Sequence, residues 1–284
     1  MTTDYNYLRR LLKAESGLAL SDEKQYLVES RLLPLARRQG LGGLPGLVSK
    51  LREPGASRLT TEVVEAMMTN ESSFFLDKVP FDHFRDVIMP ALLNARAAQK
   101  RIRIWCAACS TGQEPYSLAM ALLEMGSMIA DYRVEILATD ISADVVEKAK
   151  AGLYSQFEIQ RGLPIHYLLK YFTQRGEAWQ VIPQLRAMVA FRTLNLLHAL
   201  PSSGLFDVVF CRNVMIYFDQ PTKAQLLDRL KPVMARDGYL VLGAAETVVG
   251  LTKAFRPIDG RRGLYAPCDA NVVAFSRSAA KKAV

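Results

Sequence analysis

Histidine is scarce in this chain, with three in 284 residues, and no nucleophile–base pair stands at recognisable spacing. That argues against chemistry built on a nucleophile and its base. Cysteine is nearly as rare, and Cys106, Cys109, Cys211 and Cys268 make no disulfide framework. The first two form WCAAC, which superficially matches a redox C-x-x-C. A thioredoxin-like motif enters its helix at the first Cys, however, and here a Thr-Gly turn follows the second. Two small buried residues at a strand end are the simpler reading. No second Cys/His pair sits at ligand spacing, so no metal is expected. No apolar run approaches the ~20 residues of a membrane span. The first residues, MTTDYNYLRRLLKAESG, lack a signal-peptide core, so a cytoplasmic protein without membrane insertion is expected. A phosphate-binding GxGxxG is missing too. That counts against a dinucleotide and leaves room for a nucleoside without phosphates. The net charge of +8 invites a nucleic-acid partner, but seven Lys/Arg against two Asp from Leu251 onward supply most of it. With no N/D-P-P-Y/F-type base pocket either, no nucleic acid is expected.

What is present centres on Arg101 to Leu122, RIRIWCAACSTGQEPYSLAMAL. Ile102, Ile104 and Cys106 alternate with Arg101, Arg103 and Trp105, a strand pattern. Tyr116, Met120 and Leu123 then share one helical face. Only small residues lie between, Ala107 to Gly112, so a ligand can press against backbone N–H groups there. Glu114 sits just past the turn, within reach of a bound cation. VEILATDIS then runs a second apolar strand into Asp140. An acidic residue at the end of the second strand is how doubly wound sheets hold ribose hydroxyls. Two strand ends, a bare turn and two carboxylates predict a nucleoside site.

Before this stretch, residues 4 to about 68 show helical spacing throughout and predict a bundle of limited size. Ser21 and Asp22 are placed to cap its second helix. Arg31, Arg37 and Arg38 fall on or near one side of that helix, either as a solvated face or as a docking face for an acidic helix. In TNESSFFLDKVPFDHFRD, Phe74 and Phe75 read as core anchors, while Asn70 and Ser72 are candidates for ligand contact. A helix is expected over Val87–Ala98. From Tyr154 to about Ala190 the pattern breaks down. Short antiparallel strands around Trp179–Ile182 and Met188–Phe191 suggest a small insertion there. The α/β pattern resumes with a strand ended by Asn195, and FDVVFCRNVMIYFD brings Arg212, Asn213 and Tyr217 to a C-terminal strand end, where such sheets bind ligands. DGYLVLGAAE follows as a hairpin-like strand, with a last strand near Gly263–Ala266. The expected division is 1–86 for the helical unit and its connecting loop, 87–268 for the α/β unit with its insertion at about 154–190, and 269–284 as a solvated tail.

TNESSFF, CAACSTGQEPYS, ATDIS, LNLL and FCRNVMIYFD occur in the order found in CheR-type chemotaxis protein methyltransferases. The chain resembles that family from about Leu8 to Pro267. The resemblance implies an N-terminal helical domain, then a Rossmann-like class I methyltransferase domain with a small antiparallel β-subdomain. It implies S-adenosyl-L-methionine as cofactor, S-adenosyl-L-homocysteine as product, and methylation of glutamate side chains on the cytoplasmic helices of chemoreceptors. Carried over by position, it puts Glu114 at the methionine amino group and Asp140 at the ribose. Asn195 and Leu196 would flank the adenine, and Asn70 and Ser72 would close over the methionine end. Arg212 and Asn213 complete that site, with Tyr217 toward the reacting methyl. The chain departs from the family at Leu76, where an arginine usually follows the Phe pair. It departs again in TQRGEAWQV, which lacks the extended glycine-containing turn of members that bind a receptor C-terminal pentapeptide, so no such tether is expected. Leu76 keeps one rival in view, a non-catalytic S-adenosylmethionine-binding regulator of a receptor complex.

Overall fold

In the computed structural model, which describes residues 3–202 and 204–268, four helices open the chain: α1 (Thr3–Ser16), α2 (Gln25–Arg38), α3 (Gly43–Leu51) and α4 (Ser57–Met67). Each buries the apolar stripe that its spacing sets. Tyr5, Leu8 and Leu12 point inward from α1, Val28, Leu32 and Leu35 from α2, and Val63, Val64 and Met67 from α4. Together they form a core of their own. Ser21 and Asp22 do not cap α2. A 3-10 turn at Asp22–Lys24 intervenes, α2 has no side-chain cap, and Asp22 pairs with Arg9 of α1 instead.

The next helix begins before the expected Val87. Pro80, pre-set for a first helical turn, starts α5 (Val79–His83), which runs through a π-helical turn at Phe84–Ile88 into α6 (Met89–Ala95). Residues 86 and 87, the expected division, therefore lie inside one helical run. The α/β unit follows with β1 (Arg101–Ala107), α7 (Gln113–Glu124), β2 (Arg133–Asp140) and α8 (Ala143–Ala151). The insertion then holds β3 (Leu153–Ser155), α9 (Gln156–Gln160), α10 (Ile165–Tyr171), β4 (Phe172–Arg175), β5 (Ala178–Val181) and α11 (Pro183–Ala187). The chain returns through β6 (Val189–Thr193), β7 (Phe206–Cys211), α12 (Gln220–Leu230), β8 (Met234–Leu242), β9 (Phe255–Ile258) and β10 (Arg261–Pro267).

The large sheet has the order β6-β2-β1-β7-β8-β10-β9, and the small one β3-β5-β4. Strands β6, β2, β1, β7 and β8 run parallel, while β10 is antiparallel to both β8 and β9. Val189–Phe191, expected in the insertion sheet, instead pairs parallel with β2, Val189 opposite Ile136. Alternation alone cannot tell a local hairpin from a distant parallel partner, and the buried face of Val189 and Phe191 is completed by the large core. One core lies against α7, α8 and the insertion, and a second packs α12 beneath Trp105, Phe206 and Leu240. From β1 the chain winds outward through β2 to β6, then crosses back to β7 on the other side of β1. That reversal opens a crevice at the strand C-termini. The tail from Asp269 lies outside the described residues.

Candidate active site

The crevice is a cleft with about 1000 Å³ of open space. Asn70, Ser72, Glu114, Asp140, Asn195, Leu196, Arg212, Asn213 and Tyr217 all line it. Arg31, Arg37 and Arg38 do not.

Its floor is the turn after β1. Gly112 stands at φ 94 at the start of α7, and a Cβ there would meet that of Ala149 at 2.8 Å. Only glycine lets the turn sit so close on α8. Ala108 and Ser110 also take positive φ, at 75 and 49. The turn is held open by its neighbours: Ala108 and Cys109 donate their N–H groups to the Thr139 carbonyl at 2.8 Å, and Tyr154 Oη donates to the Thr111 carbonyl at 2.7 Å. Burial raises the thiol pKa of Cys106 and Cys109 well above the ordinary value, so both stay protonated packing residues.

Asp140 ends β2 at 7% exposure. Its Oδ2 accepts the Ser110 N–H at 2.8 Å and its Oδ1 the Ser142 N–H at 3.1 Å. Burial raises its pKa, and these backbone bonds oppose the rise. Each oxygen keeps a further lone pair for an incoming hydroxyl. Asn195 reaches the cleft with its own amide engaged, donating to the Glu15 carbonyl at 2.6 Å and accepting the Leu197 N–H at 2.9 Å. It fixes the turn that presents Leu194 and Leu196, which with Ile141 give this end apolar walls.

At the other end Arg212 is buried, its side chain 2% exposed. Nη1 donates to Glu114 Oε2 at 2.6 Å, and Nη2 donates to the Leu76 carbonyl at 2.8 Å and to Asp77 Oδ2 at 3.1 Å. Burial raises the Glu114 pKa, with Arg212 pulling it back. Arg212 Nε has no partner among the described residues. That N–H is sealed from solvent, a local cost of packing and not a donor presented to the cleft. Lys78, an alternative cation for that end, is exposed and lies outside the lining.

The helical unit closes the cleft from above. Ser16, Leu18 and Met67 enter the lining, Ala19 donates its N–H to the Tyr217 carbonyl at 2.9 Å, and Ser110 Oγ donates to the Asn70 carbonyl at 3.1 Å. Phe74 and Phe75 anchor the Asn70–Ser72 loop from behind: Phe74 packs edge-on against Tyr154 and Phe172, and Phe75 stacks on Tyr167. Arg31 is used internally, donating to the Met67 carbonyl at 2.5 Å and to Thr69 Oγ1 at 2.9 Å. Arg37 and Arg38 are exposed, with no ion pair among the described residues. Sequence reading missed Ser16, Leu18 and Asp77, and the buried Glu246 that holds the Asn213 turn. A carboxylate just beyond an apolar strand was the only local signal for Glu246.

An apolar end, a ribose-type carboxylate and a charged far end, in one crevice, fit S-adenosylmethionine. Comparison with known proteins decides the matter. The all-alpha domain of CheR methyltransferases matches residues 3–68, and the CheR methyltransferase SAM-binding domain matches residues 70–264. The chain belongs to the CheR methyltransferase family. This CheR methyltransferase is 41% identical over 267 residues to "Chemotaxis protein methyltransferase 1" of Pseudomonas aeruginosa, spanning 92% of this chain and 96% of that one. It is 38% identical to "Chemotaxis protein methyltransferase Cher2" of Pseudomonas putida, with 92% and 96% covered. A solved structure, PKMT2 from Rickettsia typhi in complex with AdoHcy, overlaps at a TM-score of 0.37 and 15% identity over 61% of this chain and 26% of that one, too loosely to carry an argument. The protein is therefore an S-adenosylmethionine-dependent methyltransferase. No helix of the described residues is long and apolar enough to cross a membrane.

Proposed function

We propose that this CheR methyltransferase acts in the cytoplasm on chemoreceptors, converting glutamate side chains of their cytoplasmic helices to methyl esters in chemotaxis adaptation. One observation carries the reading: the described lining of the cleft holds no His, Cys or Lys, and its carboxylates are engaged. Glu114 is held by Arg212 and Asp140 by backbone N–H groups, with only the exposed Glu71 besides. A hydroxyl or amine acceptor would call for a base. A glutamate, with a pKa near ~4.3, is already ionised at neutral pH and needs none. S-Adenosylmethionine supplies a methyl group on a positively charged sulfur, which a carboxylate can take by direct displacement. The chain's part is alignment and exclusion of water. Asp140 holds the ribose, Leu196 and Asn195 flank the adenine, and Glu114 takes the amino group. Arg212, held against Glu114, and Asn213 meet the cofactor's amino-acid end, and Asn70 and Ser72 close over it. Tyr217 orients the incoming glutamate by a hydrogen bond and removes no proton. Residues 87–268 supply most of the cofactor's contacts, joined by Asn70 and Ser72 from the preceding loop, while the helical unit within 1–86 meets the receptor. Mass spectrometry of receptor incubated with protein and cofactor is expected to find methyl esters on glutamate. Methylation confined to other residue types contradicts the proposal.

Docking narrows to Arg37 and Arg38, since Arg31 is spent on Met67 and Thr69. Arg37→Glu/Arg38→Glu is expected to raise the KM for receptor roughly fivefold at low salt, as exposed pairs allow. The effect should shrink as salt screens it, with cofactor affinity unchanged. An unaltered KM at low salt leaves these arginines as a solvated face.

Leu76 favours a second reading, a cofactor-binding regulator without transfer activity. Its side chain lines the cleft where an arginine would add donors. Leu76→Arg is expected to improve cofactor affinity or single-turnover rate by roughly tenfold, about 1.4 kcal/mol. If both stay within about twofold, Arg212 already suffices, since one charged hydrogen bond is worth more than that. If neither protein methylates receptor although both bind cofactor, the regulator reading prevails.

The insertion is proposed to lack a receptor-tail tether. Arg175 pairs with Ala178, so β4 and β5 are joined by Gly176 and Glu177 alone. Titration calorimetry with a receptor C-terminal pentapeptide is expected to show no heat, and micromolar binding would overturn this.

A further inference from the structure

We infer that Glu246 is the positioning residue that sets the cofactor's amino-acid end, acting through the turn that carries Arg212 and Asn213. It is 8% exposed, just past the end of β8. Its Oε2 accepts N–H groups from Gly243 at 2.8 Å and Asn213 at 2.9 Å. Its Oε1 accepts those of Val214 at 3.0 Å and Met215 at 2.7 Å. The two strand ends flanking the cleft, β7 and β8, are thus clipped together by one carboxylate.

The turn needs that carboxylate. Asn213 stands at φ 57, in the left-handed region that asparagine tolerates, and the N–H groups of three successive residues converge on this one carboxylate. An anion matches such a concavity, whereas an amide would turn donors toward donors. Space is tight as well: a Cβ at Gly243 would lie 2.7 Å from Glu246 Oε2 and 3.0 Å from the Asn213 nitrogen. With the turn fixed, Arg212 can span Glu114, Leu76 and Asp77 while it and Asn213 line the cleft. Glu246 itself is absent from the cleft lining, so any effect it has on the ligand passes through the turn.

Two ligands separate this from a general role in stability. S-Adenosylhomocysteine carries the amino-acid end, and 5′-methylthioadenosine carries the same adenosine without it. In calorimetry Glu246→Gln is expected to weaken the first by about tenfold, one charged hydrogen bond's worth, and the second by less than about twofold. Equal loss for both ligands, or loss for neither, overturns the assignment. If Glu246→Gln does not fold, Gly243→Ala displaces the same turn with the carboxylate kept, and the same preference is expected. Unchanged affinities in Gly243→Ala would then overturn it. Receptor methylation enters neither measurement, so the outcome stands apart from the proposed acceptor.

Discussion

Asp140→Ala is expected to weaken S-adenosylhomocysteine binding by about a hundredfold, read by titration calorimetry, with the circular dichroism of the fold retained. Two losses combine. The carboxylate would no longer receive the ribose hydroxyls, and charged hydrogen bonds are worth about 1.5–3 kcal/mol each. The Ser110 N–H and Ser142 N–H would also lose their acceptor, so the small-residue turn at φ 75 and φ 49 loses its clamp. Asp140→Asn should lie between, because one carbonyl oxygen remains while the amide opposes an N–H. An unchanged dissociation constant for Asp140→Ala would remove the ribose assignment.

Arg212→Met is expected to abolish methyl transfer and to lower stability by roughly 3–5 kcal/mol at neutral pH, the usual cost of leaving a buried charge without its partner. The stranded group is Glu114, whose pKa burial already raises and Arg212 holds back. Without the guanidinium its folded-state pKa climbs further above 4.5, the unperturbed value. A carboxyl with a raised folded pKa contributes stability below the unfolded pKa and loses it as pH rises through the folded one. The variant's deficit should therefore be small near about pH 4.5 and grow toward about pH 7.5. Urea unfolding at both values measures it. A deficit that is flat with pH would show that Glu114 is not the group left unpaired. Arg212→Met/Glu114→Gln, which removes both charges, should recover much of the stability and none of the activity.

The cleft was legible where chemistry sits in short segments. The bare turn from Ala107 to Gly112, Asp140 at its strand end and Arg212-Asn213 at another each carry a local signal, and the parallel sheet joins them at its point of reversal. What escaped depends on contacts across long sequence separations. Ser16 and Leu18 reach the cleft only because α1 docks over Tyr217, and Arg31 loses its freedom to residues 36 and 38 positions away. Helix α5 was hidden because Pro80 reads as a loop residue as readily as a helix start. Val189–Phe191 fits two readings by its apolar alternation, a short strand of the insertion or the start of the strand leading to Asn195, and the fold takes the second. Glu246 is the clearest case: at the end of an apolar strand it looks like an ordinary surface carboxylate, and only the fold brings the N–H groups of residues 213–215 onto it.

The central claim, a carboxylate acceptor on a chemoreceptor, is tested most directly by transfer of tritiated methyl from S-adenosylmethionine offered in parallel to receptor-containing membranes, RNA and DNA. The account predicts label on receptor protein alone, released as volatile methanol on mild alkaline treatment, as a glutamate methyl ester requires. Alkali-stable label, or label on nucleic acid with none on receptor, would contradict it.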